Sequence, residues 1–114
     1  MPYDEELTTR MRRALEAHVG ISEKRMMGGN CFFLNGNMIS GARRDKHGVR
    51  RFMFRVGKDH EAQALSDPHA QPVIHGTRKL GGFILVANDD CDTETLKKWL
   101  SICLEHAAAM PPKS

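Results

Sequence analysis

A surplus of one charge is what this chain most lacks. Its 17 Lys and Arg face 14 Asp and Glu, for a formal net charge of +3. So small an excess falls short of the bias of a dedicated nucleic-acid binder. Cysteine is scarce and poorly spaced for chemistry. Cys31, Cys91 and Cys103 are an odd number, with no C-x-x-C and no short Cys/His pairing. They read as free thiols in a reducing compartment, and no metal or disulfide staple is called for. Long hydrophobic runs are absent. The longest is FILVA, Phe83 to Ala87, far too short for a membrane span. The opening MPYDEE is acidic and has no apolar h-region, so no signal peptide is expected. Together these absences predict a soluble, cytoplasmic protein with no membrane partner. No internal repeat and no low-complexity tract occurs.

What is present suffices for one domain. The 114 residues are 40% apolar and 27% charged, enough for a core without staples. A helix is expected from about Asp4 to His18, because Leu7, Met11, Ala14 and Leu15 recur at helical spacing. Val19 would extend that stripe, and Gly20 would be its C′ stop. Asp4, Glu5 and Glu6 suit the positive end of the helix dipole.

From Lys24 the period changes. Asn35-Gly36 is the strongest short hairpin signal, since a type I′ turn needs positive φ at both central residues. A two-residue loop pairs Leu34 with Asn37, Phe33 with Met38 and Phe32 with Ile39. Phe32, Leu34 and Ile39 then share one face, and Phe33 and Met38 the other. Bulky groups on both faces predict a central hairpin with some cover on each side, from a second subunit or from neighbouring loops.

A third strand is expected over Arg51 to Val56, then a short helix over Gly57 to Ser66 with Ala62 and Leu65 as its contacts. Pro72 to His75 reads as an edge strand, and Gly81-Gly82 precede a strand from Phe83 to Ala87. Asp92 is a candidate N-cap for a last helix whose stripe is Leu96, Trp99, Leu100, Cys103 and Ala107. The expected order is α-β-β-β-α-β-β-α. This is an α+β two-layer domain, an antiparallel sheet with flanking helices.

Five constellations bear on chemistry. Gly28-Gly29 lacks phosphate-loop spacing and runs into a strand, so a bend or bulge between strands is preferred. Arg43, Arg44, Lys46, Arg50, Arg51, Arg55 and Lys58 are opposed in sequence only by Asp45. They form a candidate nucleic-acid or acidic-partner contact, or a solvated edge that resists aggregation, and the edge is preferred. Six scattered histidines show no H-x-x-x-H spacing, so no metal site is assigned. No nucleophile has a flanking signature. Cys91 before a helix N-terminus is the one weak redox candidate. Met26 and Met27 are either an adaptable contact surface or core fillers.

Taken in order, PYDEEL, EKRMMGG, the apolar-Asn-Gly-Asn-Met run, FRVG and LKKWL resemble the N-terminal domain of TfoX/Sxy proteins. The likeness runs from about Tyr3 to Pro112. The family's usual K-R-M-F-G-G is K-R-M-M-G-G here, with Met27 in place of the aromatic. The resemblance implies a secretion-chaperone-like fold with no enzyme activity, no cofactor and no catalytic residues. It also implies a regulator of DNA uptake that works by contact with transcription machinery, where family members act with the cyclic-AMP receptor protein. Longer members carry a second, helical domain, and this chain is expected to be a stand-alone first domain. Lys24, Arg25, Met26, Gly28 and Gly29 match the family's most recognisable stretch and are candidate contact or fold-defining residues. Direct nucleic-acid binding through Arg43 to Lys58, or a small-ligand or enzyme function in a cleft beside the sheet, are the alternatives.

Overall fold

Asp4 starts the first helix by accepting the Leu7 N–H on its carboxylate at 2.9 Å. A computed structural model describes residues 3–26 and 28–113, so Met27 lies outside the described residues. Helix α1 spans Glu5–Leu15 and buries Leu7, Met11 and Leu15. It ends earlier than its expected limit at His18. Val19 therefore leaves the stripe and is 92% exposed. Gly20, at φ +86°, turns the chain into a strand and does not cap the helix.

Six strands follow: β1 (Ile21–Met26), β2 (Gly29–Leu34), β3 (Asn37–Arg44), β4 (Arg50–Arg55), β5 (Ala70–His75) and β6 (Arg78–Ala87). A 3-10 turn over Lys58–His60 and helix α2 (Glu61–Leu65) join β4 to β5, and α3 spans Thr93–Ala108. The α+β class holds, with one strand more than expected. The added strand is β1, whose interior Ser22, Glu23, Lys24 and Arg25 are all exposed. Only its two ends are apolar, so it carries no alternating signal. In α2 the buried contact is Ala64, not Ala62.

The sheet order is β1-β2-β3-β4-β6-β5, with every neighbouring pair antiparallel. Asn35 and Gly36 take φ of +50° and +85°, the positive pair that a type I′ turn requires. Phe33 pairs with Met38 as expected, but Phe32 pairs with Ser40. Ile39 is the extra residue of a bulge. A bulge lets two consecutive side chains face one way, so Ile39 and Ser40 both reach the helix layer.

That layer buries Phe32, Ile39, Phe52, Phe54, Ile84 and Val86 of the sheet against α1, α2 and α3. Phe54 stacks on Trp99 with ring centroids 6.0 Å apart. Asp92 caps α3 by accepting the Thr95 N–H at 2.8 Å, and Leu96, Trp99, Leu100, Cys103 and Ala107 are its buried stripe. After α3, the Lys113 N–H donates to the Asn35 carbonyl at 2.8 Å, fixing the tail on the hairpin turn.

Among the described residues no helix packs on the opposite face. Cys31, Met53, Val73 and Leu85 form a second buried cluster there, flanked by Met26, Phe33, Met38, Leu80 and Phe83. Its cover comes from the chain itself. Strand β6 pairs with β4 only from Phe83 onward, and Gly82 just before it has φ +83°. The β5–β6 hairpin bends there, bringing Val73 and Leu80 over the sheet. No helix among the described residues is long and apolar enough to cross a membrane.

Candidate functional site

The strand alternation divides the basic segment between the two faces. Arg44 and Arg50 pair with each other across β3 and β4 and turn toward α1. There both guanidiniums donate to the Asp4 carboxylate, at 2.8 Å from Arg44 and 3.2 Å from Arg50. Burial opposes the charge on Asp4, but the Leu7 N–H and the two guanidiniums hold its pKa below the ordinary carboxylate value. Arg43 and Arg51 pair with each other on the opposite, open face. Arg51 is held at 2.7 Å by Asp45 in the connecting loop. Asp45 also accepts the N–H groups of His47 and Val49, so it shapes the loop as well as balancing it. Lys46 is exposed at the loop tip. Of the five candidate contact residues in this segment, three are engaged by carboxylates of the chain's own, which leaves Arg43 and Lys46.

The signature stretch divides in the same way. Lys24 pairs with Cys31 and faces the open side. Arg25 turns to the helix side and lies over the Tyr3 ring, 3.9 Å from its centroid. Glu23 also faces the helices, where Arg12 binds it at 2.6 Å and Asn30 at 2.9 Å. The Arg12 guanidinium, more than any other group, lowers the Glu23 pKa. The glycines build the hairpin. Gly28 sits at φ +75° in the turn. Any Cβ on Gly29 would collide with the Ala42 carbonyl oxygen across the strands. Met26 is half-buried at the edge of the open-face cluster, while Met27 lies outside the described residues.

A groove of about 840 Å³ lies between the open face and the overhanging β5–β6 hairpin. Met26, Cys31, Met53, Val73 and Leu80 give it an apolar floor, and Gly29 and Gly41 deepen it. Arg43, Lys58, Arg78, Lys79 and His75 line its rim, and among the described residues no carboxylate does. Lys79 is held by Glu61 at 2.7 Å. Arg43, Lys58 and Arg78 make no salt bridge among the described residues. Sequence reading missed Arg78, Lys79 and Gly41 as a group. The available signal was Gly81-Gly82, which marks a bend inside a longer strand and not the start of a short one.

The cysteines are buried and unbonded. Burial pushes the Cys91 thiol up to about 11, which removes the basis for a redox role at the helix N-terminus. Cys31 and Cys103 are raised by burial as well. Among the described residues no cluster of three His, Cys, Asp or Glu could hold a metal. No family model matches this chain, and neither a curated protein nor a solved structure matches it.

Proposed function

We propose that this chain is a non-enzymatic regulatory module, acting in the cytoplasm by protein–protein contact with the transcription machinery. The observation that carries this reading is the place of the Lys24-Arg25 pair. It lies on β1, an edge strand paired only with β2, and both side chains are exposed. The glycines that follow do the folding work and Arg25 lies over Tyr3, which leaves Lys24 as the charge most available for a partner. The resemblance to TfoX/Sxy N-terminal domains supplies the kind of partner, and the cyclic-AMP receptor protein is the one to try first.

Binding of the purified chain to purified cyclic-AMP receptor protein, with and without promoter DNA, tests the reading. Lys24→Glu should weaken the complex at least about tenfold, because a charge reversal at a rim both removes attraction and adds repulsion. The circular dichroism should not change. No complex with the wild-type chain, or one indifferent to Lys24→Glu, would count against it.

A second reading, direct nucleic-acid contact, draws on one observation. Lys24, Arg43 and Arg51 project from the same face of the sheet. The Arg51–Asp45 pair weakens it.

A further inference from the structure

We propose that the groove beneath the β5–β6 hairpin binds a small amphipathic carboxylate, with its hydrocarbon body on the apolar floor and its acid head among Arg43, Lys58 and Arg78. This inference is independent of the protein contact assigned to β1.

Three observations converge on this ligand class. The first is enclosure. Residues of β2, β3 and β4 share one cavity with the far end of the β5–β6 hairpin, although β6 leaves β4 at Phe83. The hairpin therefore overhangs the sheet and makes a concave space. Its volume of about 840 Å³ falls in the ~300–1,000 Å³ range of small-ligand sites.

The second is the floor. Gly41 contributes no side chain at its centre, and Cys31, Met53 and Val73 line it. The weak Cys31 thiol already donates to the Met26 carbonyl at 3.8 Å and no other donor or acceptor side chain stands among these, so the part of a ligand lying there is apolar. Methionine and cysteine are soft, adaptable surfaces for a flexible hydrocarbon.

The third is the sign of the rim. Every ionisable side chain that lines the groove, Cys31 apart, is cationic or a histidine. The surface is not basic overall, since the chain carries only +3. Four cations elsewhere are held by carboxylates: Asp4 holds Arg44 and Arg50, Asp45 holds Arg51, and Glu23 holds Arg12. The groove between α1 and α3 shows the contrast, since Glu6 and Glu16 line it beside Arg10, Arg13 and Lys97. Glu61 holds Lys79, but Arg43, Lys58 and Arg78 stand in no salt bridge among the described residues, and such cations around an apolar floor fit an anion with an apolar body.

Titrating the full chain with decanoate tests the proposal. Calorimetry and backbone amide NMR are the readouts, and decanol and decyltrimethylammonium are the neutral and cationic controls. Decanoate should bind saturably at one site and shift the amides of Gly29, Gly41 and Leu80. The two controls should bind at least about tenfold more weakly, the scale of one charge-assisted contact. Arg43→Gln should weaken decanoate binding several-fold without changing the fold.

Gly41→Val should abolish decanoate binding by filling the floor. A Cβ there meets Cys31 Sγ and Met53 Cε at ordinary contact distances of 3.4 and 3.5 Å. Should Gly41→Val misfold, Arg43→Gln alone decides. The proposal fails if decanoate does not saturate, or if decanol binds equally well. It also fails if the shifts map to the α1–α3 groove, or if the chain binds phosphatidylglycerol vesicles but not free decanoate.

Discussion

The carboxylate of Asp4, whose side chain is 3% exposed, accepts a hydrogen bond from the Arg44 guanidinium at 2.8 Å. The two residues are 40 positions apart. The same carboxylate caps α1 at Leu7 and binds Arg50. One acid thus starts the first helix and fastens it to the end of the β3–β4 hairpin. Asp4→Ala should destabilise the domain by about 2 kcal/mol, from a lost cap and an unmatched pair of guanidiniums. Arg44→Gln should cost under about 1 kcal/mol, because that arginine is half exposed and its pairing is screened. Urea denaturation of both variants measures the difference. Equal losses would mean that the pairing, not the cap, dominates.

The same neutralisation bounds any binding to nucleic acid. With Arg44, Arg50 and Arg51 on carboxylates and Arg55 bonded to the Met38 carbonyl at 3.4 Å, Arg43, Lys46 and Lys58 remain of the basic segment. Each phosphate neutralised contributes about −0.9 to the slope of log K against log salt on duplex DNA. The segment should therefore give a slope no steeper than about −3. Fluorescence anisotropy from low to moderate salt reads it directly. A slope near −5 would show that the arginines exchange Asp4 and Asp45 for phosphates.

Much of this architecture was legible in the residues, for identifiable reasons. The Asn35-Gly36 turn and the α3 stripe were readable because each rests on short-range rules of backbone and period. The two faces of β2 were readable from the alternation of Phe32 and Phe33, and they survive a bulge that moves the pairing. Strand β1 was hidden because an exposed edge needs no apolar alternation. The groove was hidden for a different reason. Its rim joins Arg43 to Arg78 through a bend at Gly82, and one sequence does not encode that distance locally. The pairing of Asp4 with Arg44 and Arg50 was equally invisible, so the segment read as more basic than its surface is.

Gly29 and Gly48 should respond to alanine for different reasons. At Gly29 the obstacle is steric, because the new Cβ meets the Ala42 carbonyl of the neighbouring strand. The cost should be about 1–3 kcal/mol, as for overpacking. Gly48 has open space around it but φ of +80°, so the cost is conformational and nearer about 1 kcal/mol. Asparagine, which tolerates positive φ, should recover part of the loss at Gly48 and none at Gly29. Thermal or urea unfolding of the four variants separates the two mechanisms. Recovery at Gly29 would show that the strands separate to admit a side chain.

His106 should impose a pH dependence well above the carboxylate range. Its ring packs on the Gly57 backbone, where an added Cβ would lie 2.5 Å from Nδ1. Burial lowers its pKa first, and the neighbouring Arg55 and His60 add to this, against a weaker opposing effect of Asp59. The folded value thus lies below the unfolded one, near 6.5. The unfolded chain then binds the proton more readily than the native one. This contribution to stability is complete above about pH 6.5 and shrinks as pH falls toward the folded pKa. Asp4, Glu23 and Glu61 are lowered as well, but from carboxylate values, so their losses come at more acidic pH. Stability against pH should therefore fall in two separate steps. His106→Gln should flatten the upper step and leave the lower one in place. If the upper step persists in that variant, another group carries it.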